Sequence, residues 1–291
     1  MAFTLQIKKK GLFGSKQIDM EKLLNKCCLK YGSDNEFYVL QEGERNGESV
    51  ILYNPSRIGR GIYFNADTSG VLEVSYNIPT TAAEISDFIK VVQEIADQLK
   101  KVEIYCVEEE REYTVSQLAE NQQSMVEFSL DSLHGFCRND FELYMLTLAM
   151  WPIAMDKGQV EKFTDCRNLA EFEQMLHDMQ NMDVYYANPV LMRNKSDGKI
   201  LAVYTLTEEC ESIFPKAADG FLNLEDIKID EGFVRFYIYS EQRPMDGMYS
   251  YDKFISCMME HGAKPYDAAH VLLPSVTKKE IEDMVQEIAA Q

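Results

Sequence analysis

The pattern of apolar residues predicts an α+β fold of two tandem, similar units, each a mostly antiparallel sheet with helices packed on one face. Three observations predict it. Leu72, Val74, Tyr76 and Ile78 alternate with Glu73, Ser75 and Asn77, so a strand there has one dry face and one wet face. Ile85, Phe88, Ile89, Val92, Ile95, Ala96 and Leu99 recur at the spacing of one helical face. The order strand, helix, several strands, helix, strand, helix occurs twice along the chain.

Taken in order, Phe3–Ile7 alternates and reads as a strand, and Gly11 to Lys16 as a turn. Asp19 caps a helix carrying Leu23, Leu24 and Cys27. Strand-like runs follow at Phe37–Gln41, Ser49–Tyr53, Gly61–Phe64 and Val71–Asn77. Turn formers such as Arg45-Asn46-Gly47 and Thr68-Ser69-Gly70 separate them. Thr81 and Glu84 form a capping box for the helix that carries the stripe from Ile85 to Leu99. Val102–Val107 is a strand, and Thr114 with Gln117 opens a helix reaching Leu133.

The second half reads as a strand at Phe141–Leu148 and one long helix at Lys157–Met182. Strands at Val184–Met192 and Ile200–Leu206 flank the turn Ser196-Asp197-Gly198-Lys199. Phe233–Tyr239 is a strand, Tyr251–His261 a helix, Ala269–Leu273 a strand, and Lys278–Ala289 a helix opened by Thr277 and Glu280. The units divide as 1–137 and 138–291, because Gly135 and Arg138-Asn139-Asp140 break the periodicity. The second carries a longer first helix and an insertion near 208–226.

Charge excludes some function classes. The 291 residues hold 48 acidic and 29 basic side chains, a net charge of −19. Such a field repels a nucleic-acid backbone and an anionic lipid surface, so neither is expected as a partner. No apolar run approaches the roughly 20 residues that span a bilayer. Seven scattered cysteines, without a framework pattern, fit a reducing cytoplasm.

Chemistry-bearing motifs are scarce. The chain has no G-x-S-x-G, no phosphate loop, no H-E-x-x-H and no C-x-x-C. Nothing points to a cofactor, a metal or catalytic residues. His134 and Cys137 are spaced as a base beside a thiol, or mark an interdomain turn. Glu173 and His177, with Asp178, could offer metal ligands, or form a solvated i, i+4 pair. His261 suits a helix end before Gly262, and His270 falls in a strand.

Two places read as binding sites. In Arg57-Ile58-Gly59-Arg60-Gly61 the glycines Gly59 and Gly61 allow close backbone approach, while Arg57 and Arg60 could clamp a phosphate or carboxylate. The same loop could instead pair its arginines with local acids. Arg235, Tyr237 and Tyr239 share one face of a strand, a composition common at protein interfaces and also natural to strands. Lys8-Lys9-Lys10 with Leu12, Phe13 and Lys16 is a local basic spot that either touches an acidic partner or blunts an edge strand.

The opening Phe3-Thr4-Leu5-Gln6-Ile7-Lys8-Lys9-Lys10-Gly11-Leu12-Phe13-Gly14-Ser15-Lys16 resembles that of an uncharacterised family of bacterial cytoplasmic proteins. Members of similar length imply that the resemblance extends over the whole chain. It implies a bacterial cytosolic setting and assigns no activity or site residues. The expected function is therefore a soluble acidic protein-binding module, non-catalytic, that antagonises a basic partner. The alternative is an enzyme or sensor for a small anion held near Arg57 and Arg60.

Overall fold

The computed structural model describes residues 1–10, 18–47, 49–66, 70–220 and 228–290. The turn predicted at Gly11–Lys16, with Leu12 and Phe13 of the basic spot, lies outside the described residues, as do Thr68, Ser69 and residues 221–226 of the predicted insertion. The chain divides into two units. One comprises Met1–Glu142, Thr147–Pro152 and Lys157–Met182, and the other Leu143–Leu146, Ile153–Asp156 and Asp183–Gln291. The fold class is α+β, as the sequence predicts.

The first unit contains β1 (Ala2–Lys9), α1 (Met20–Cys27), β2 (Lys30–Asp34), β3 (Leu40–Glu42), β4 (Ser49–Tyr53), β5 (Ile62–Ala66) and β6 (Val71–Asn77). It continues with α2 (Ala82–Leu99), β7 (Val102–Cys106), β8 (Arg111–Tyr113), α3 (Val115–Glu120), α4 (Gln122–Arg138), α5 (Lys157–Glu161) and α6 (Ala170–Gln180). Its eight strands form one sheet in the order β3-β2-β4-β5-β6-β1-β7-β8. Every neighbouring pair is antiparallel. Leu5 faces Val74 on one side and Cys106 on the other. Period-two alternation sends Phe3, Leu5 and Ile7 inward, where the stripe of α2 covers them. Phe3, Tyr76 and Phe88 form an aromatic cluster with centroids 4.9 to 5.9 Å apart. Each fully buried aliphatic or Phe side chain here contributes about 2 kcal/mol.

The second unit contains β9 (Tyr144–Leu146), β10 (Ile153–Met155), β11 (Tyr185–Tyr186), β12 (Val190–Arg193), β13 (Ile200–Thr207), β14 (Ser212–Pro215) and β15 (Glu231–Ile238). After β15 come β16 (Arg243–Pro244), β17 (Tyr249–Ser250), α7 (Tyr251–Glu260), β18 (Lys264–Pro265), β19 (His270–Leu273) and α8 (Lys278–Ala290). One sheet runs β12-β13-β15-β16, with β17 also on β15, and another runs β11-β14-β19-β18. Strands β13 and β15 are parallel, as are β11 and β14. Tyr204, Phe214, Phe236, Tyr251 and Phe254 build an aromatic core under α7.

Several expectations need correction. The units do not share one connectivity: the first is a single antiparallel sheet, whereas the second has two smaller sheets that contain parallel pairs and a separate antiparallel pair, β9 with β10. The boundary is not at 137, because α4 runs through Gly135 to Arg138 and the first unit continues to Met182. Gly135 has open space around its Cα, so the helix tolerates it at about 1 kcal/mol. The long helix at 157–182 is two, α5 and α6, and Asn168 Oδ1 accepts from the Ala170 amide where the second begins. Strand β1 is not an edge strand, since β6 and β7 flank it, so Lys8 and Lys9 do not blunt an edge.

Candidate interaction surface

The loop before β5 is a buried polar network of the first unit. The Glu84 carboxylate accepts from the Arg60 amide at 3.2 Å, from the Gly61 amide and from Thr80 Oγ1. Burial pushes that carboxyl above the usual carboxylate range, while the Thr80, Gly61 and Arg60 hydrogen bonds pull the other way. A Cβ at Gly59 would stand 2.9 Å from Glu84 Oε1. Gly61 has φ +88, and a Cβ there would meet Ile51 Cγ2. The close approach that glycines permit is thus taken up by the protein's own side chains.

Arg60 is 6% exposed. Its guanidinium donates to the Thr147 carbonyl and Oγ1 and to the Pro79 carbonyl, at 3.0 to 3.3 Å. A two-arginine clamp therefore does not form: Arg60 points inward and Arg57 alone is exposed.

The histidines are held in similar ways. His177 Nδ1 accepts from the Ile58 amide at 3.1 Å, and Glu173 Oε2 accepts from the Ala83 amide at 3.2 Å. Those two side chains pin α6 within the first unit. His134 Nε2 lies 2.8 Å from the Cys166 carbonyl and 3.7 Å from Cys166 Sγ. A carbonyl only accepts, so Nε2 carries the proton and cannot take one from the thiol. Burial raises the Cys166 thiol and pushes Cys137 up to about 11, the opposite of an activated nucleophile.

In the second unit, Asp267 Oδ1 is 2.8 Å from His270 Nδ1, and His270 Nε2 is 3.0 Å from the Tyr186 hydroxyl. All three residues are buried. Asp267 also accepts from the Ala154, Ala269 and His270 amides at 2.7 to 2.9 Å. Burial raises Tyr186 well above the ordinary phenol value, so this chain of hydrogen bonds locks β10, β11 and β19 rather than activating a hydroxyl.

Strand β15 is different. Val234, Phe236 and Ile238 are buried, while Arg235 and Tyr239 are exposed and Tyr237 is half-buried. Register places Thr205 opposite Arg235, Thr207 opposite Tyr237, and Val190 opposite Val203. Side chains two apart share a face, so Val190 and Met192 join Leu201, Phe233, Arg235 and Tyr237 on one side of the sheet. Tyr239 follows two residues after Tyr237, as the first residue of the 3-10 turn that ends β15. Exposure is 52% for Val190, 48% for Met192 and 60% for Tyr239. Arg235 Nε donates to Thr205 Oγ1 at 2.8 Å, which holds the guanidinium stem along the sheet. Composition found Arg235, Tyr237 and Tyr239, but Val190 and Met192 became members only through the pairing of β12 with β13.

Fold and surface together define an α+β protein whose second unit carries an exposed sheet face with Arg235 and Tyr237. The chain belongs to the family described as domain of unknown function (DUF4299), whose model matches residues 1–284. No curated protein and no solved structure is matched. No helix among the described residues is long and apolar enough to cross a membrane.

Proposed function

We propose that this protein is a non-catalytic binding module that captures a basic protein, as an antagonist of a basic toxin or nuclease would. The observation that carries the reading is the sheet face on which Val190, Met192 and Arg235 are exposed and Tyr237 is half-buried, followed by the exposed Tyr239. Exposed Tyr, Met and Arg on a rigid sheet supply contact area at low ordering cost. The net charge of −19 supports the choice of partner, because long-range attraction speeds encounter with a cation. The activated thiol that a Cys–His enzyme needs is lacking at His134 and Cys166.

The test is affinity capture from a native lysate at low salt, followed by a wash at about 1 M salt, where the Debye length falls to about 3 Å. A basic protein should be recovered in stoichiometric amount and released by the wash. Repeated recovery of nothing, or of a partner indifferent to salt, would contradict the reading.

A further inference from the structure

Cys257 and His261 stand four residues apart at the C-terminal end of α7, so they share a helical face. Helix α8 brings Glu287 beside them. One ligand atom from each of the three lies within 4.8 Å of the other two, the sole such His/Cys/acid group among the described residues. His261 Nε2 is 3.0 Å from Glu287 Oε2. Cys257 is fully buried, Glu287 half-buried and His261 exposed. Sulfur therefore forms the floor, and nitrogen and oxygen form the mouth.

We propose that Cys257, His261 and Glu287 bind a divalent cation of the zinc class, with water as the fourth ligand. Thiolate, imidazole and carboxylate are the donor set such an ion prefers. Ligand bonds of about 2.0–2.3 Å place tetrahedral donors roughly 3.3–3.6 Å apart. Binding therefore requires the three donor atoms, which lie within 4.8 Å of one another, to draw together by side-chain rotation. Two anionic ligands neutralise the ion, and Glu260 and Glu280 add negative potential around Cys257 and His261. On binding, the Cys257 proton and the proton between His261 Nε2 and Glu287 leave to solvent, the neutral ring keeping one at Nδ1, and metal–sulfur, metal–nitrogen and metal–oxygen bonds replace the His261–Glu287 hydrogen bond. No electron is transferred.

The test uses the tag-free full chain, reduced and stripped with chelator. Zinc is titrated by calorimetry and cobalt by absorption. One zinc per chain should bind, weakened at least about tenfold in both His261→Ala and Glu287→Gln. The cobalt form should show four-coordinate bands with a thiolate charge-transfer band that Cys257→Ser removes. Because Cys257 is a core residue, the decision rests on the two accessible variants, with circular dichroism confirming their fold. No stoichiometric zinc, affinity unchanged in His261→Ala, or cobalt bound without sulfur would each overturn the site and leave only an ion pair beside a thiol.

Discussion

Glu84 sits three residues after Thr81, the spacing of a capping box, yet only half the box forms. The Glu84 amide donates to Thr81 Oγ1 at 3.0 Å, while the carboxylate turns inward to the loop at Arg60 and Gly61. The folded state holds the Glu84 proton more tightly than the unfolded chain, because burial raises its pKa. Below the unfolded carboxyl value both states are protonated. As pH rises from there through the folded value, ionisation favours unfolding and stability falls. Glu84→Gln should flatten that part of the pH–stability curve in urea unfolding, and an unchanged slope would contradict it. At Arg60, truncation to Ala leaves the Thr147 and Pro79 carbonyls without their donor. The expected loss is about 3 kcal/mol, against at most about 0.5 kcal/mol for the exposed Arg57→Ala, read from urea midpoints. Equal effects would mean that Arg60 is not the buried strut described.

Elements with their own local signal were legible. Helix α2 was readable because its stripe and its threonine cap agree, and β6 because alternation is strict over seven residues. The caps at Asp19, Thr114 and Thr277 form as the residues predict. Strand β2, Lys30–Asp34, escaped because its polar residues alternate weakly and its place is set by pairing with β3 and β4. The break between α5 and α6 escaped because apolar spacing continues across it through Phe163 and Phe172, which meet edge to face at 5.5 Å. The same limit applied to the sites. Tyr237 and Tyr239 share a face by period alone, and Cys257 and His261 by the i, i+4 rule. Val190 and Glu287 come from other elements, so only tertiary structure assigns them.

At the scale of the whole molecule, the two units solve the burial problem differently. One closes a wide antiparallel sheet under α2, and the other joins parallel and antiparallel pairs around an aromatic core. That difference removes the case for a repeated fold that the twice-occurring order of elements makes. It also isolates the open face of β12, β13 and β15 as a feature of the second unit. On the proposed function, the excess of 48 acidic over 29 basic residues favours a basic partner and predicts a capture sensitive to salt.

The most direct test compares capture by the wild type with capture by the double variant Met192→Asp with Tyr239→Asp. Phe128→Asp serves as control, since Phe128 is equally exposed, at 51%, on α4 of the first unit. The two aspartates raise the negative charge while spoiling the apolar face. The account predicts that the basic protein held by the wild type and by Phe128→Asp is lost from the double variant, at least about tenfold in affinity. Full retention by the double variant, with charge alone sufficing, would contradict the claim that this face does the binding.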